Sequence, residues 1–131
     1  MAGTRNRKHQ LAPLQLAIMQ VLWNREEATV ADVHQNLQNG RPLAYTTVST
    51  MLTKMQRNGQ VRIKRREAGR VLVYAAAICE SAVNRSMVDD LTARLFHGDV
   101  TQMVHHLLES GDVGPDELDR LEQLIQEHRR Q

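Results

Sequence analysis

Read as a helix, the stretch Tyr45 to Gly59 gathers Thr46, Ser49, Thr50, Thr53 and Arg57 on one face and sets Val48, Met51, Leu52 and Met55 at i, i+3, i+4, i+7 on another. Hydroxyls accept and donate hydrogen bonds, and the charges of Lys54 and Arg57 attract phosphate. This is the chemistry of a helix whose first turns, here Tyr45, Thr46 and Thr47, lie in the DNA major groove while its ends meet the backbone. The same pattern also describes a solvated polar face on an ordinary helix. A second basic set follows closely: Arg62, Lys64, Arg65, Arg66 and Arg70 fall within nine residues. These charges can bind phosphate or enter a minor groove, fixing register while reading little sequence. The alternative is an edge strand that uses charge to prevent aggregation.

Other chemistry finds less support. His105 and His106 are adjacent, so on a helix they point about 100° apart; His97 sits beside a turn, His34 lies within a short helix, and His9 and His128 lie near the termini. None forms an i, i+4 ligand pair, so no metal or other cofactor is expected, and His105 reads better as a partly buried assembly residue. Cys79 is the only cysteine. A lone thiol makes no internal disulfide and no structural zinc site, which favours a reducing cytoplasm. No nucleophile elbow, phosphate loop or paired catalytic carboxylates appear, so an enzyme is not expected. The first residues are polar and basic, and no run approaches the roughly 20 apolar residues that span a bilayer.

The elements that must position these groups can be read in order. Residues 1–10 form a flexible basic arm carrying Arg5, Arg7 and Lys8, and a first helix runs from Pro13 to Asn24. Proline suits a first turn because its missing N–H would be unpaired there anyway. Leu14, Ile18, Val21 and Leu22 make its apolar stripe, and Trp23 is assigned to the core. Thr29, with Asp32 three residues on, caps a second helix carrying Val30, Val33 and Leu37, which Asn39-Gly40-Arg41-Pro42 breaks. A short capped helix, a connection and a hydroxyl-rich helix make a helix-turn-helix, and the slightly long connection points to its winged variant. After Gly59 the period changes to two. Val61, Ile63 and Arg65 alternate with Arg62, Lys64 and Arg66, Glu67-Ala68-Gly69 turns the chain, and Arg70 to Tyr74 returns. The expectation is a two-stranded hairpin, the wing.

From Ile78 the helical period resumes in three segments. Val83, Met87, Leu91 and Leu95 stripe the first. Asp99, with Gln102 at the capping-box position, opens a second carrying Val100, Met103, Val104, Leu107 and Leu108. Pro115 opens a third carrying Leu118, Leu121, Leu124 and Ile125. These helices have more apolar surface than a small winged domain can cover, which calls for a second copy of the chain. Two-fold pairing would set two recognition helices one DNA turn apart, about 34 Å, and favour a palindromic operator. Charge follows the same division. Residues 1–76 carry twelve Lys and Arg against four acids, a net of +8, while residues 77–131 carry five against eleven, a net of −6. A basic half meets a polyanion, and the acidic half does something else. The fold class expected is thus mainly α with a small β-hairpin: a winged helix-turn-helix over 11–77 and a helical dimerisation domain over 78–131.

With these residues in view, the chain resembles the penicillinase-repressor (BlaI/MecI/CopY) family of bacterial winged-helix regulators. The likeness rests on IMQVLW at Ile18 to Trp23, TVADV at Thr29 to Val33, AYTTVSTMLTKMQRNG at Ala44 to Gly59, GRVLVYA at Gly69 to Ala75 and LFHGDV at Leu95 to Val100. It implies a homodimeric transcriptional repressor on a dyad operator in double-stranded DNA, controlling β-lactam-resistance or related stress genes. Thr46, Thr47, Ser49 and Thr50 fall on the family's base- and backbone-contacting positions, beside Lys54 and the wing cations. Copper-responsive members end in paired Cys-x-Cys motifs, and this chain has no ligands for that mechanism. Members induced through a membrane receptor are cut by a sensor protease in the helix that begins near Asp99. The corresponding pair here is His106-Leu107 in place of Asn-Phe. A cut there would lower DNA affinity through lost bivalency. The competing reading is a winged domain that grips an acidic protein, which predicts neither steep salt dependence nor selection of a palindrome.

Overall fold

The computed structural model describes residues 7–37 and 42–131. Arg5 of the basic arm and Asn39, Gly40 and Arg41 of the expected helix break lie outside them. Among the described residues six α-helices and three strands follow in the order α1 (Pro13–Arg25), β1 (Ala28–Thr29), α2 (Val30–Leu37), α3 (Tyr45–Arg57), β2 (Val61–Glu67), β3 (Val71–Ala76), α4 (Glu80–Phe96), α5 (Val100–Glu109) and α6 (Pro115–Arg129). The chain divides into two compact units, residues 1–88 and 89–131, and α4 runs through both. The division falls later than the expected 77/78 because Ile78 and Val83 are buried in the first core and Met87 packs against it.

In the first unit Pro13 stands at the first helical position, and Ala12 N–H donates to Gln15 Oε1 at 3.0 Å, closing the start of α1. Ile18, Met19 and Leu22 are the buried residues of α1. The expected stripe shifts by one position, Met19 going inside while Leu14 and Val21 stay half-buried. Thr29 and Asp32 form the reciprocal cap expected of them: Thr29 N–H donates to Asp32 Oδ2 at 3.0 Å and Asp32 N–H to Thr29 Oγ1 at 3.1 Å. The Thr29 amide holds the Asp32 carboxyl below its usual range. Around Val33 of α2 and Val48, Leu52 and Met55 of α3, all fully buried, the helices close on Val61, Tyr74, Ile78 and Val83. Trp23 is half-buried rather than at the centre, and its indole N–H donates to Ile78 O at 3.0 Å. A tryptophan at the core's rim keeps its one donor satisfied.

The sheet departs from the expected two-stranded hairpin. Ala28 and Thr29 pair antiparallel with Tyr74 and Val73, so β3 lies between β1 and β2. Two residues, the second of them a helix cap, carry no periodicity from which a strand could be read. The strict alternation along β2 also fails. The register passes from Ile63 opposite Tyr74 to Arg65 opposite Val73, which makes Lys64 the extra residue of a bulge.

The second unit contains no buried apolar side chain among the described residues. Within it Asp99 accepts a hydrogen bond from Gln102 N–H at 3.2 Å, capping α5 as expected. Thr92 Oγ1 contacts Met103 Sδ at 3.4 Å and the rings of Phe96 and His106 lie 5.9 Å apart. Leu91, Leu95, Val100, Val104, Leu107, Leu108, Leu118, Leu121, Leu124 and Ile125 are all exposed. No helix among the described residues is long and apolar enough to cross a membrane.

Candidate nucleic-acid interface

Helix α3 has two unlike sides because its buried positions recur at helical spacing. Val48, Leu52 and Met55 anchor it rigidly against α2 and β2. On the other side Thr46, Thr47, Thr50, Thr53, Lys54 and Arg57 are exposed, and Ser49 is half-buried. Thr46, Thr47, Thr50, Met51 and Lys54 line one shallow hollow; Ser49, Thr50, Thr53, Lys54, Arg57 and Asn58 line the next. Thr53 Oγ1 donates to Ser49 O at 3.0 Å, which uses its proton and leaves its oxygen as an acceptor.

Both ends of α3 are built by neighbouring residues. No side chain caps the N-terminus at Ala44, which leaves the positive end of the helix open to an anion. The approach to it is held by His34 of α2, whose Nε2 lies 2.7 Å from Leu43 O and whose ring meets Tyr45 edge-on at 5.6 Å. A carbonyl accepts, so Nε2 carries the proton. At the other end Gly59 takes φ +80°, a conformation that favours glycine, and the chain turns directly into β2. The buried Gln60 donates from Nε2 to Lys8 O at 3.2 Å, tying down the segment that leads out of the arm.

The wing cations fall into two sets. Arg62, Arg66 and Arg70 are exposed and have no ion-pair partner among the described residues. Lys64 and Arg65 are already engaged. Lys64 Nζ lies 2.6 Å from Glu27 Oε1, and Arg65 grips Glu27 with two nitrogens, at 2.6 and 3.1 Å, and Glu67 at 3.1 Å. The Arg65 and Lys64 hydrogen bonds pull the Glu27 carboxyl down to about 2. The bulge at Lys64 lets two successive side chains reach the same carboxylate. Sequence reasoning missed Glu27 and His34. The acids Glu26 and Glu27 preceding a basic hairpin were a weak signal for the first, and nothing in the periodicity marked the second.

Among the described residues no group of three or more His, Cys, Asp and Glu could hold a metal ion. His105 is exposed with Nε2 3.5 Å from Glu109, and the His106-Leu107 pair lies exposed within α5.

The family model described as penicillinase repressor matches residues 11–127. The penicillinase repressor of Bacillus licheniformis is 26% identical over 120 residues, covering 92% of each chain. The transcriptional regulator BlaI of Mycobacterium tuberculosis is 34% identical over 120 residues, covering 90% of this chain and 84% of that protein. Among solved structures, reduced AbfR bound to DNA shares the fold at 18% identity and a TM-score of 0.52, covering 81% of this chain and 80% of that one. The reading as a winged domain for protein contact alone gives way to these relationships. A two-faced α3, a basic wing and a sequence match along nearly the whole chain lead to one conclusion: the protein belongs to the penicillinase repressor family and is a DNA-binding transcriptional repressor.

Proposed function

We propose that the protein acts as a homodimer on a palindromic operator, with α3 of each subunit in a major groove. Thr46, Thr47, Ser49 and Thr50 approach bases and the adjacent backbone. Tyr45, Thr53, Lys54 and Arg57 meet the flanking phosphates, and the wing follows the backbone or minor groove. The observation that carries the reading is the exposed hydroxyl and cationic face of α3, mounted on side chains that are fully buried. Such a helix presents its contacts without first having to order itself.

The second unit supplies the dimer. Ten exposed apolar residues on α4, α5 and α6 have no partner surface within the described unit, and a second copy offers the same surface in return. The name of one relative, a penicillinase repressor, directs attention to β-lactam-resistance genes as targets. A sensor protease cutting at His106-Leu107 would relieve repression by separating the dimerisation helices. The site of action is the cytoplasm, and no enzymatic step is required.

The test is a binding titration against a duplex selected from random sequence and against its scrambled counterpart, each at two salt concentrations. The expected result is selection of an inverted repeat and a steep loss of affinity with salt. Equal affinity for both duplexes with a flat salt response would overturn the proposal.

A further inference from the structure

The wing holds two cations that are already committed to an intramolecular partner. Arg65 directs Nε to Glu67 Oε2 at 3.2 Å, one N–H of Nη1 to Glu27 Oε1, and Nη2 to both Glu27 Oε2 and Glu67 Oε2. Four of the five donors of a guanidinium are thereby used. With Lys64 on the same Glu27 oxygen, two cations face two carboxylates, and the middle of the wing is locally neutral. We infer that Glu27 is a specificity-determining residue: by occupying Lys64 and Arg65 it withholds them from phosphate, which suppresses sequence-independent DNA binding more than operator binding.

Isolated surface ion pairs contribute little, because each side chain must be held in place against its own entropy and against salt. This pairing is bidentate, is shared among four residues, and is closed by a bulge that presents Lys64 and Arg65 together. The carboxylate is also tethered, so a phosphate must compete with a partner at high effective concentration. Displacing Glu27 would leave a carboxylate beside a polyanion, which further disfavours the exchange. Non-specific binding comes almost entirely from cations that release counterions in any register, whereas an operator complex is locked by α3 to the phosphates within reach. Neutralising two wing cations therefore costs the non-specific complexes most. Arg62, Arg66 and Arg70 are left as the phosphate contacts of the wing.

The inference rests on the DNA-bound arrangement proposed above, and the test separates the two. In the full-length protein, Glu27→Gln should steepen the plot of log affinity against log salt by about 0.9 per released cation, up to about 1.8 per wing. It should also raise affinity for scrambled duplex more than for operator. Arg65→Ala should leave the slope unchanged, although it removes a positive charge, whereas Arg66→Ala should flatten it by about 0.9 per wing. Because Arg65→Ala is read independently, the idea stays testable even if Glu27→Gln folds poorly. A wild-type slope retained by Glu27→Gln, an equal gain on both duplexes, or a flattened slope for Arg65→Ala would each overturn it. A wild-type protein without salt-dependent duplex binding would instead overturn the DNA-bound arrangement itself.

Discussion

Replacing Leu121 and Leu124 together by alanine should dissociate the proposed dimer while leaving the DNA-binding unit folded. The two side chains retain 38% and 53% of their surface in the single chain, together about nine-tenths of one leucine. Burying a whole leucine contributes about 1.5–3 kcal/mol, so covering this surface on both subunits contributes about 3–6 kcal/mol. At about 1.4 kcal/mol per tenfold, the dimer dissociation constant should rise by roughly two to four orders of magnitude. Aspartate in place of either leucine should do more, since a buried charge without a partner is costly. Sedimentation velocity over a dilution series measures the constant directly. Far-UV circular dichroism and thermal melting report on the first unit, whose core of Ile18, Leu52 and Met55 lies in other elements. Operator affinity should fall with dimerisation, because bivalent binding is lost with no DNA contact altered. Dimers with a wild-type dissociation constant in the double variant would refute the assignment of α6 to the subunit interface.

Three further outcomes follow from particular residues. Thr47→Ala or Thr50→Ala should reduce discrimination between operator and scrambled duplex by about 1–3 kcal/mol for each lost base contact, measured by competition binding; an equal fall on both duplexes would reassign that residue to phosphate contact. Glu26 ends α1 at φ 73°, ψ −37°, where a non-glycine residue is strained, so Glu26→Gly should stabilise the fold by about 1 kcal/mol, read as a higher denaturant midpoint with an unchanged slope; a lower midpoint would show that the strain is absent. Glu27 is held down from an ordinary 4.5 to about 2 by Arg65 and Lys64, so its stabilising effect is complete above pH 4.5 and disappears as pH falls towards 2. Glu27→Gln should flatten stability against pH within that window, and an unchanged curve in acid would mean that these ion pairs are not populated.

The legible parts of this fold were those in which a local rule and the tertiary packing agree. Val48, Leu52 and Met55 sit at helical spacing and are buried together, and the face opposite them could therefore be named from spacing alone. Thr29 and Asp32, and Asp99 with the Gln102 amide, are caps made between residues three apart, so the chain displays them directly. What escaped notice depends on contacts between distant residues. β1 exists because Ala28 and Thr29 reach Tyr74 and Val73, more than forty positions away. The bulge at Lys64 breaks an alternation that the residue types had promised, and only the register against β3 reveals it. His34 beside Leu43 and Tyr45 is invisible for the same reason, since no spacing links a mid-helix histidine to the carbonyl of a later turn.

The charge of the first half takes on a more definite meaning once its pairs are known. Of the four acids in residues 1–76, Glu27 and Glu67 engage Lys64 and Arg65, and Asp32 lies 3.7 Å from Arg25. These pairs offset cations in the middle of the wing and at the end of α1. Lys54 and Arg57 on α3 and Arg62, Arg66 and Arg70 on the wing have no such partner among the described residues. On α3 and the wing, therefore, the positive charge that no described acid offsets lies on these five residues. A net charge counted along the sequence treats all twelve cations alike, but phosphate attraction is set by those left unpaired. On that basis the salt dependence of operator binding should follow the five unpaired cations of α3 and the wing far more closely than the total of +8.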